Sequence, residues 1–353
     1  MLLIYGKNKK FKLWFAIGVS CILLLVVAIA IITGNFDTFG RFLTLSFKES
    51  TFVGRILYFR DALPLILKHP FGIGYGGYYY IQQSIQTGLY SVRYIHNDFL
   101  QIALDIGWVP FIMLIWVIIK TFLKTKDFRR RLLLFVFVTH SCFDFNLQFV
   151  AMYFVLLALL DVCNGKQKII KGTVWKIVLP GIIVGCICCY IGIAQILSFM
   201  GQYELSNKWY PFNTENDIKL LATSDELEGI EYYADRIISR NEHIYVAYNA
   251  KASIAFSNGS ITDVMRYSNL AIQEAPLQSI SYDQYCYFLI QSISLYQQSG
   301  DMSSARYCQH ELRKIVNQKQ TLNKRLSKLG TMIKDQPNME VSDEIMKYIE
   351  NMK

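Results

Sequence analysis

The sequence predicts an all-α fold in two parts. Residues 1–199 form a multi-pass helical membrane domain of about five spans, and residues 200–353 an extracytoplasmic α-helical repeat domain. Three observations carry this. Apolar runs of the roughly 20 residues needed to cross a bilayer occur only in the first part. Charge balance changes at the same place, with 20 Lys and Arg against 8 Asp and Glu in residues 1–199 and 16 against 19 in residues 200–353. Basic clusters fall between the runs in the pattern that keeps cations on the cytoplasmic side. The formal charge of +9 therefore belongs to the membrane part and gives no argument for nucleic-acid binding.

The first span is Leu13–Thr33, headed by Lys7, Lys9, Lys10 and Lys12. Its apolar run is too long for the core of a cleaved signal, and ITGNFDTFG has no clear small-x-small cleavage site, so it reads as an uncleaved span. Phe99–Leu123 is the second, followed by Lys124, Lys126, Arg129, Arg130 and Arg131. Leu132–Cys163 is too long for one crossing and is interrupted by HSCFDFNLQ, which makes it two tightly joined helices. Val174–Met200 is the fifth, next to Lys166, Lys168, Lys171 and Lys176. Five spans place all the basic clusters inside with the N-terminus. The 34–98 loop, the HSCFDFN turn and the C-terminal part then lie outside.

Cysteines say little. Cys21, Cys163, Cys186, Cys188 and Cys189 lie in or beside spans, where the residue acts as a small apolar one, so CICC is no metal site. Cys286 and Cys308 face an oxidising compartment on different helices, and their pairing stays open.

Beyond Asn213 the pattern is polar and helical, broken at SNGS, EAPLQS, QSGD and DQPN. Tyr248 and Ala252, Gly259 at a turn, then Ala271 and Pro276 outline a tetratricopeptide-like unit, and Tyr296, Gly300 and Ala305 a second. A generic helical bundle gives similar spacing. Beyond Gln318 the tail reads as a capping helix and a solvated end.

The block most charged with chemistry is Gly54 to Gly107. GRILYFRDALPLILKHP predicts an amphipathic helix whose stripe Ile56, Phe59, Leu63, Ile66 and Leu67 lies at the membrane interface. Arg55 stands at its entrance, where the helix dipole adds to its charge and favours an anion. Arg60 and Lys68 read first as contacts to lipid phosphates. His69 and HPFGIGYGG follow, with Gly72 and Gly74 in a tight turn that is either structural or an approach for a phosphate or sugar to backbone amides. A nucleotide fingerprint is excluded by the surface helix before it and by its non-cytoplasmic side. His96–Asn97–Asp98 opens the second span as a helix cap or as an acid–base and diphosphate-contacting group. Asp105, about two turns further, has to face other helices. His140 and Asp144 are one helical turn apart at the same boundary, and two ligands do not make a metal site.

GR…F…AL…HPFGIGYGGY followed by HNDFLQIALDIG resembles the O-antigen ligase/polymerase family, and HSCFDFNLQFVAMYFVLLALL resembles later helices of its members with tetratricopeptide domains. The resemblance covers roughly residues 50–165. It implies inverting transfer of a glycan from an undecaprenyl-diphosphate carrier to a hydroxyl acceptor outside the cytoplasmic membrane, with no nucleotide, metal or other cofactor. It also implies that Arg55 neutralises the departing diphosphate, and that His96 contacts it or deprotonates the acceptor. Asn97 then orients His96, and Arg60, His69, Gly72, Gly74, His140 and Asp144 line the substrate. Phe59 stands where relatives often have Trp, and Pro110 where they commonly have Gly. Relatives have about ten to twelve spans, so the chain is expected to be a truncated or split member whose partner is a second membrane subunit. The alternative is a non-catalytic membrane scaffold presenting the repeat domain. A transporter is disfavoured by the lack of internal symmetry.

Overall fold

The computed structural model describes residues 50–160 and 175–351, which form fifteen α-helices and no strand. The chain divides into two compact units, Met1–Phe52 and Val53–Lys353. Of the first, only the opening residues of helix α1 (Ser50–Lys68) are described. The expected span Leu13–Thr33, its lysines, and Lys166, Lys168 and Lys171 lie outside the described residues.

Helix α1 begins about a turn before Gly54, so Arg55 sits in its second turn and not at its entrance. Its buried stripe is Val53, Leu57, Asp61 and Leu65 at intervals of four, joined by Gly54, Ala62 and Ile66. Of the apolar stripe read from the sequence, Leu63 and Leu67 are exposed and only Ile66 is buried. The helix is apolar on two sides, one turned to protein and one outward. Periodicity cannot tell which side the protein takes.

A glycine turn links α1 to α2 (Gly77–Ile85) and clasps the end of α3 (Asp98–Ile106). Ile73 N–H donates to Leu104 O (2.8 Å), Gly74 N–H to Asp105 O (3.1 Å), and Trp108 N–H to Pro70 O (2.9 Å). Backbone passes against backbone so closely that only glycine fits. A Cβ on Gly72 would stand 2.6 Å from Asp105 O, and one on Gly107 2.5 Å from Pro70 O. Both glycines also have left-handed φ, +80° and +92°. The expected second span Phe99–Leu123 is therefore not one helix. It breaks at Gly107, and α4 (Trp108–Lys124) continues alone for 17 residues, about 25 Å. Pro110 falls in the first turn of α4, where its missing N–H costs nothing.

The joined pair read in Leu132–Cys163 is α5 (Phe128–Ser141) and α6 (Val150–Leu160), with a short 3-10 turn at Asn146–Gln148. Phe99, Ile118, Leu134, Phe137, Leu147 and Leu156 form one core across α3 to α6. Outward from it Ile112, Met113, Trp116, Phe135, Val136 and Phe154 are exposed, an apolar exterior of the kind that needs lipid or a partner. Arg130 donates to the carbonyls of Ala158 and Leu159 at the end of α6, and Arg131 to Thr125 O. The basic cluster thus ties down one end of the packet, and the HSCFDFN turn sits at the other. The 14 residues of α5 separate them by about 21 Å.

Helix α7 (Trp175–Phe199) contains Val178–Phe199, 22 residues of mean hydropathy 2.3 with almost no protein cover. Among the described residues it is the one helix long and apolar enough by itself to cross a membrane. After it come α8 (Tyr203–Trp209), α9 (Thr214–Thr223), α10 (Leu227–Arg240), α11 (Tyr245–Ser257), α12 (Ile261–Glu274), α13 (Ser279–Gln298), α14 (Met302–Gln320) and α15 (Asp343–Asn351). Polar bonds mount these helices on α7. Ser206 Oγ donates to Ala194 O (2.8 Å), and fully buried Asp217 takes Asn207, Arg236 and Arg240.

α11 pairs with α12, and α13 with α14, across turns at Gly259 and Gly300, both with left-handed φ. Ala252, Ala271 and Ala305 are buried where the paired helices approach. Cys286 and Cys308 are free thiols buried in one core. The tail divides the sequence reading: α15 packs on the α13–α14 core as a capping helix, but the chain before it is not a solvated end, since Leu322 and Ile333 are buried and Leu329 and Ile333 pack on α1.

Gly107→Ala puts a Cβ into the Pro70 carbonyl at a left-handed φ, so it is expected to lower stability by about 2–3 kcal/mol. Thermal unfolding in detergent checks this, and a melting temperature equal to that of the parent would remove the clasp argument.

Candidate functional site

Three segments meet at the end of the packet away from the basic cluster. Arg55 comes from α1, His96 and Asn97 from the entry to α3, and His140 and Asp144 from the end of α5 and the turn after it. Arg55 Nη1 donates to Phe143 O, while its Nη2 lies 3.9 Å from Asp144 Oδ2. The other oxygen of Asp144 is 3.6 Å from His96 Nδ1. One carboxylate therefore stands between a guanidinium and an imidazole, each too far off to pair tightly. Arg55 Nε and His96 Nδ1 are both buried atoms without a hydrogen-bond partner.

His96 is held in a left-handed backbone conformation, φ 60°, the only non-glycine residue among those described with positive φ. Histidine adopts this more readily than most residues, but it still costs energy that the surroundings supply. Its ring stands edge-on to Phe145 (4.8 Å between centroids) and 6.0 Å from Tyr58. Burial, and then the Arg55 charge, push its pKa below the usual histidine value, with Asp144 opposing. The imidazole is neutral at neutral pH.

Asn97 is a two-way clamp. Its Oδ1 accepts the Leu100 N–H (3.0 Å) as the cap of α3, and its Nδ2 donates to Cys142 O (2.8 Å), fixing the HSCFDFN turn. Asp98, 1% exposed, accepts the Leu147 N–H on the same turn (3.0 Å). Asn146 Nδ2 donates to His140 Nδ1 (2.7 Å), so a neutral His140 carries its proton on Nε2. A cleft of about 380 Å³ opens here, lined by Arg55, Thr139, His140 and Asp144 on its polar side and Phe135, Val136 and Phe143 on its apolar side.

The other sequence-read residues lie apart. Arg60 is exposed on the surface of α1. His69 and Gly72 line a different cleft, of about 450 Å³, shared with Glu242 and His243. Gly72, Ile73, Gly74 and Gly77 all spend their amides on carbonyls of the chain itself, so the turn acts first as a helix clasp. Sequence reasoning missed Phe143 O, Tyr58 and Phe145, since a carbonyl and two packing rings carry no motif. It also missed Asp61, buried in α1 and bound by the Thr87 N–H and hydroxyl (2.8 Å each) and the Tyr90 hydroxyl (3.1 Å). Among the described residues no three His, Cys, Asp or Glu gather as a metal site would require.

One described helix has the length and apolarity to cross a membrane, and a half-buried cluster of Arg55, His96 and Asp144 lies among the other helices. Residues 1–115 match the O-antigen ligase family, so over that third the chain is similar to enzymes of glycan transfer in polysaccharide biosynthesis. The matched stretch includes Arg55, His96 and Asn97 and ends before His140 and Asp144. Neither a curated protein nor a solved structure matches the chain.

The lowered His96 pKa has a definite consequence. The unfolded chain binds this proton more readily, so folding stability contributed here is present above the ordinary histidine pKa, about 6.5, and is lost as pH falls below it. His96→Asn keeps a residue that tolerates the left-handed φ and removes the titration. Between pH 7 and 5 it is expected to lose less stability than the parent in thermal unfolding, and equal losses would show that His96 is not held neutral.

Proposed function

We propose that the protein is a membrane glycan ligase or polymerase that transfers a glycan from an undecaprenyl-diphosphate carrier to a hydroxyl acceptor. The reaction lies on the outer side of the cytoplasmic membrane, in a multi-pass protein with a cytoplasmic N-terminus. The observation that carries this is the cleft with Arg55 on its polar side and aromatic and aliphatic side chains on the other. An amphipathic donor, with a diphosphate head and a prenyl tail, matches both sides.

In the reaction an acceptor hydroxyl attacks the anomeric carbon, the bond to the diphosphate oxygen breaks, and configuration inverts. Negative charge grows on the leaving diphosphate, and the Arg55 fork, incompletely paired by Asp144, strengthens its hold as it does. Neutral His96 takes the acceptor proton, and Asp144, 3.6 Å from Nδ1, stabilises the imidazolium that results. Asn97 positions His96 by clamping its loop, and His140 offers Nε2–H toward the cleft. No step calls for a metal or nucleotide. The tetratricopeptide-like hairpins recruit the acceptor or a partner through their concave surface.

The positions of the basic residues support the orientation. Lys124 and Arg129–Arg131 sit at the end of the packet opposite the site, as a cytoplasmic anchor and an outer active site require. A reporter fused to the C-terminus is expected to be active only outside the cytoplasm.

Reconstituted with a lipid-linked glycan, Arg55→Ala and His96→Ala are each expected to lower transfer about 100-fold or more, with insertion and expression unchanged. Arg55→Lys recovers little, because a point charge does not reproduce the fork. Transfer at the parental rate in both alanine variants would leave the scaffold reading, in which the membrane part only presents the hairpins.

A further inference from the structure

The segment after α14 has no place in the helical-pair pattern, yet it makes some of the closest contacts in the chain. Ser327 N–H donates to Thr87 O (2.8 Å), and Ser327 Oγ lies 3.0 Å from Thr87 Oγ1. That same threonine binds the buried Asp61 carboxylate of α1 through both its amide and its hydroxyl. At Gly330 main chain meets main chain. A Cβ there would lie 2.2 Å from Thr87 O, and one on Gly88 2.6 Å from Gly330 Cα. Ile333 is buried with Val53, Leu57 and Tyr90.

These contacts fall on the back of the helix that carries Arg55. Val53, Leu57 and Asp61 follow one another at single turns, while Arg55 lies two residues from Val53 and from Leu57 and so projects to the opposite side. There it meets Phe143 and Asp144. A second line of contact runs to His96. The Tyr90 ring packs on Tyr58 at 4.5 Å, and Tyr58 stands 6.0 Å from the His96 ring.

We propose that residues 326–335 are a positioning segment for the candidate site. They press α1 and Tyr58 forward so that Arg55 and His96 keep their places around Asp144. The kinetic part rests on the transferase reading, and the docking part does not. A misplacement of about an ångström is enough to lower turnover about 100-fold while binding is retained.

The test uses the full chain in membranes. Thr87→Cys with Ser327→Cys is expected to form a disulfide, seen after proteolysis between the two positions as fragments that stay joined until reduced. Gly330→Val drives a side chain into the Thr87 carbonyl. It is expected to lower kcat about 10- to 100-fold with the donor KM within about twofold, and to displace the acid limb of the pH–rate profile that His96 sets. Ser327→Ala, a milder change that keeps the fold, is expected to lower kcat a few-fold with the same displacement. Failure of the disulfide to form overturns the proposal, as does a parental kcat and pH profile in both Gly330→Val and Ser327→Ala. If Arg55→Ala transfers normally, the transferase reading falls instead, and the disulfide alone decides whether the segment docks behind α1.

Discussion

The fold of the site region depends on one steric fact: the turn after α1 and the end of α3 share a space that admits no side chain. Gly72 and Gly107 face carbonyls at distances a Cβ would violate, and three backbone hydrogen bonds close the same contact. The clasp joins the far end of α1 to the far end of α3, and Trp108 Nε1 adds a bond to Ile66 O at 2.9 Å. With those ends fixed, Arg55 near one helix start and His96 before the other have a defined separation. Asn97 and Asp98 then bring in the α5–α6 turn through Cys142 O and Leu147 N–H. The glycine-rich turn holds the two helix ends together, and the Arg55–His96–Asp144 cluster lies about a helix length away from it.

Charge within the site is deliberately incomplete in its pairing. Asp144 at 3.9 Å from Arg55 and 3.6 Å from His96 is close enough to hold both side chains by field and too far to saturate either. A tight bidentate pair would tie up two of the five Arg55 N–H donors, besides the one spent on Phe143 O, and would neutralise the charge an anion needs. A distant carboxylate would leave a bare guanidinium beside His96. Partial neutralisation leaves a cation that is retained at rest and available when negative charge approaches. The buried, unpartnered Nε and Nδ1 point to the same incompleteness.

Local rules made much of this legible. Ala252, Ala271 and Ala305 beside turns at Gly259 and Gly300 announce close helix pairs, because small residues and left-handed turns are local requirements. The interrupted run at HSCFDFNLQ announced two helices for a similar reason. Arg55, His96, Asn97, His140 and Asp144 stood out as ionisable or polar groups at helix boundaries, and the fold brings them to one place. What stayed hidden was set by distant partners. Helix α1 has apolar residues on two sides, and the Val53–Leu57 side was chosen by Ile333, some 280 positions away. The polar tail gave no hint of burial, since its fit rests on Gly330 and Ser327 meeting Thr87 and not on apolar periodicity. The break at Gly107 was invisible in an otherwise continuous apolar run, because only the approach of Pro70 makes it necessary.

The helical-pair part is fastened to the rest at several places, Tyr80 against Ala234 and Ile237 among them, and two of these limit what it can do. One fastening is the polar bundle at the foot of α7, where Asp217, Asn207, Ser206 and two arginines lock α8–α10 to the apolar helix. The other is the Ser327–Gly330 contact behind α1. A domain hung from one linker swings freely, whereas one held at both ends of its own chain transmits force between them. These two fastenings therefore tie any load on the hairpins to the helix that holds Arg55. The tail makes this second fastening through turns: Thr331 N–H donates to Ser327 O and Met332 N–H to Leu329 O (3.0 Å each), which folds Ser327 and Gly330 against Thr87 and Gly88.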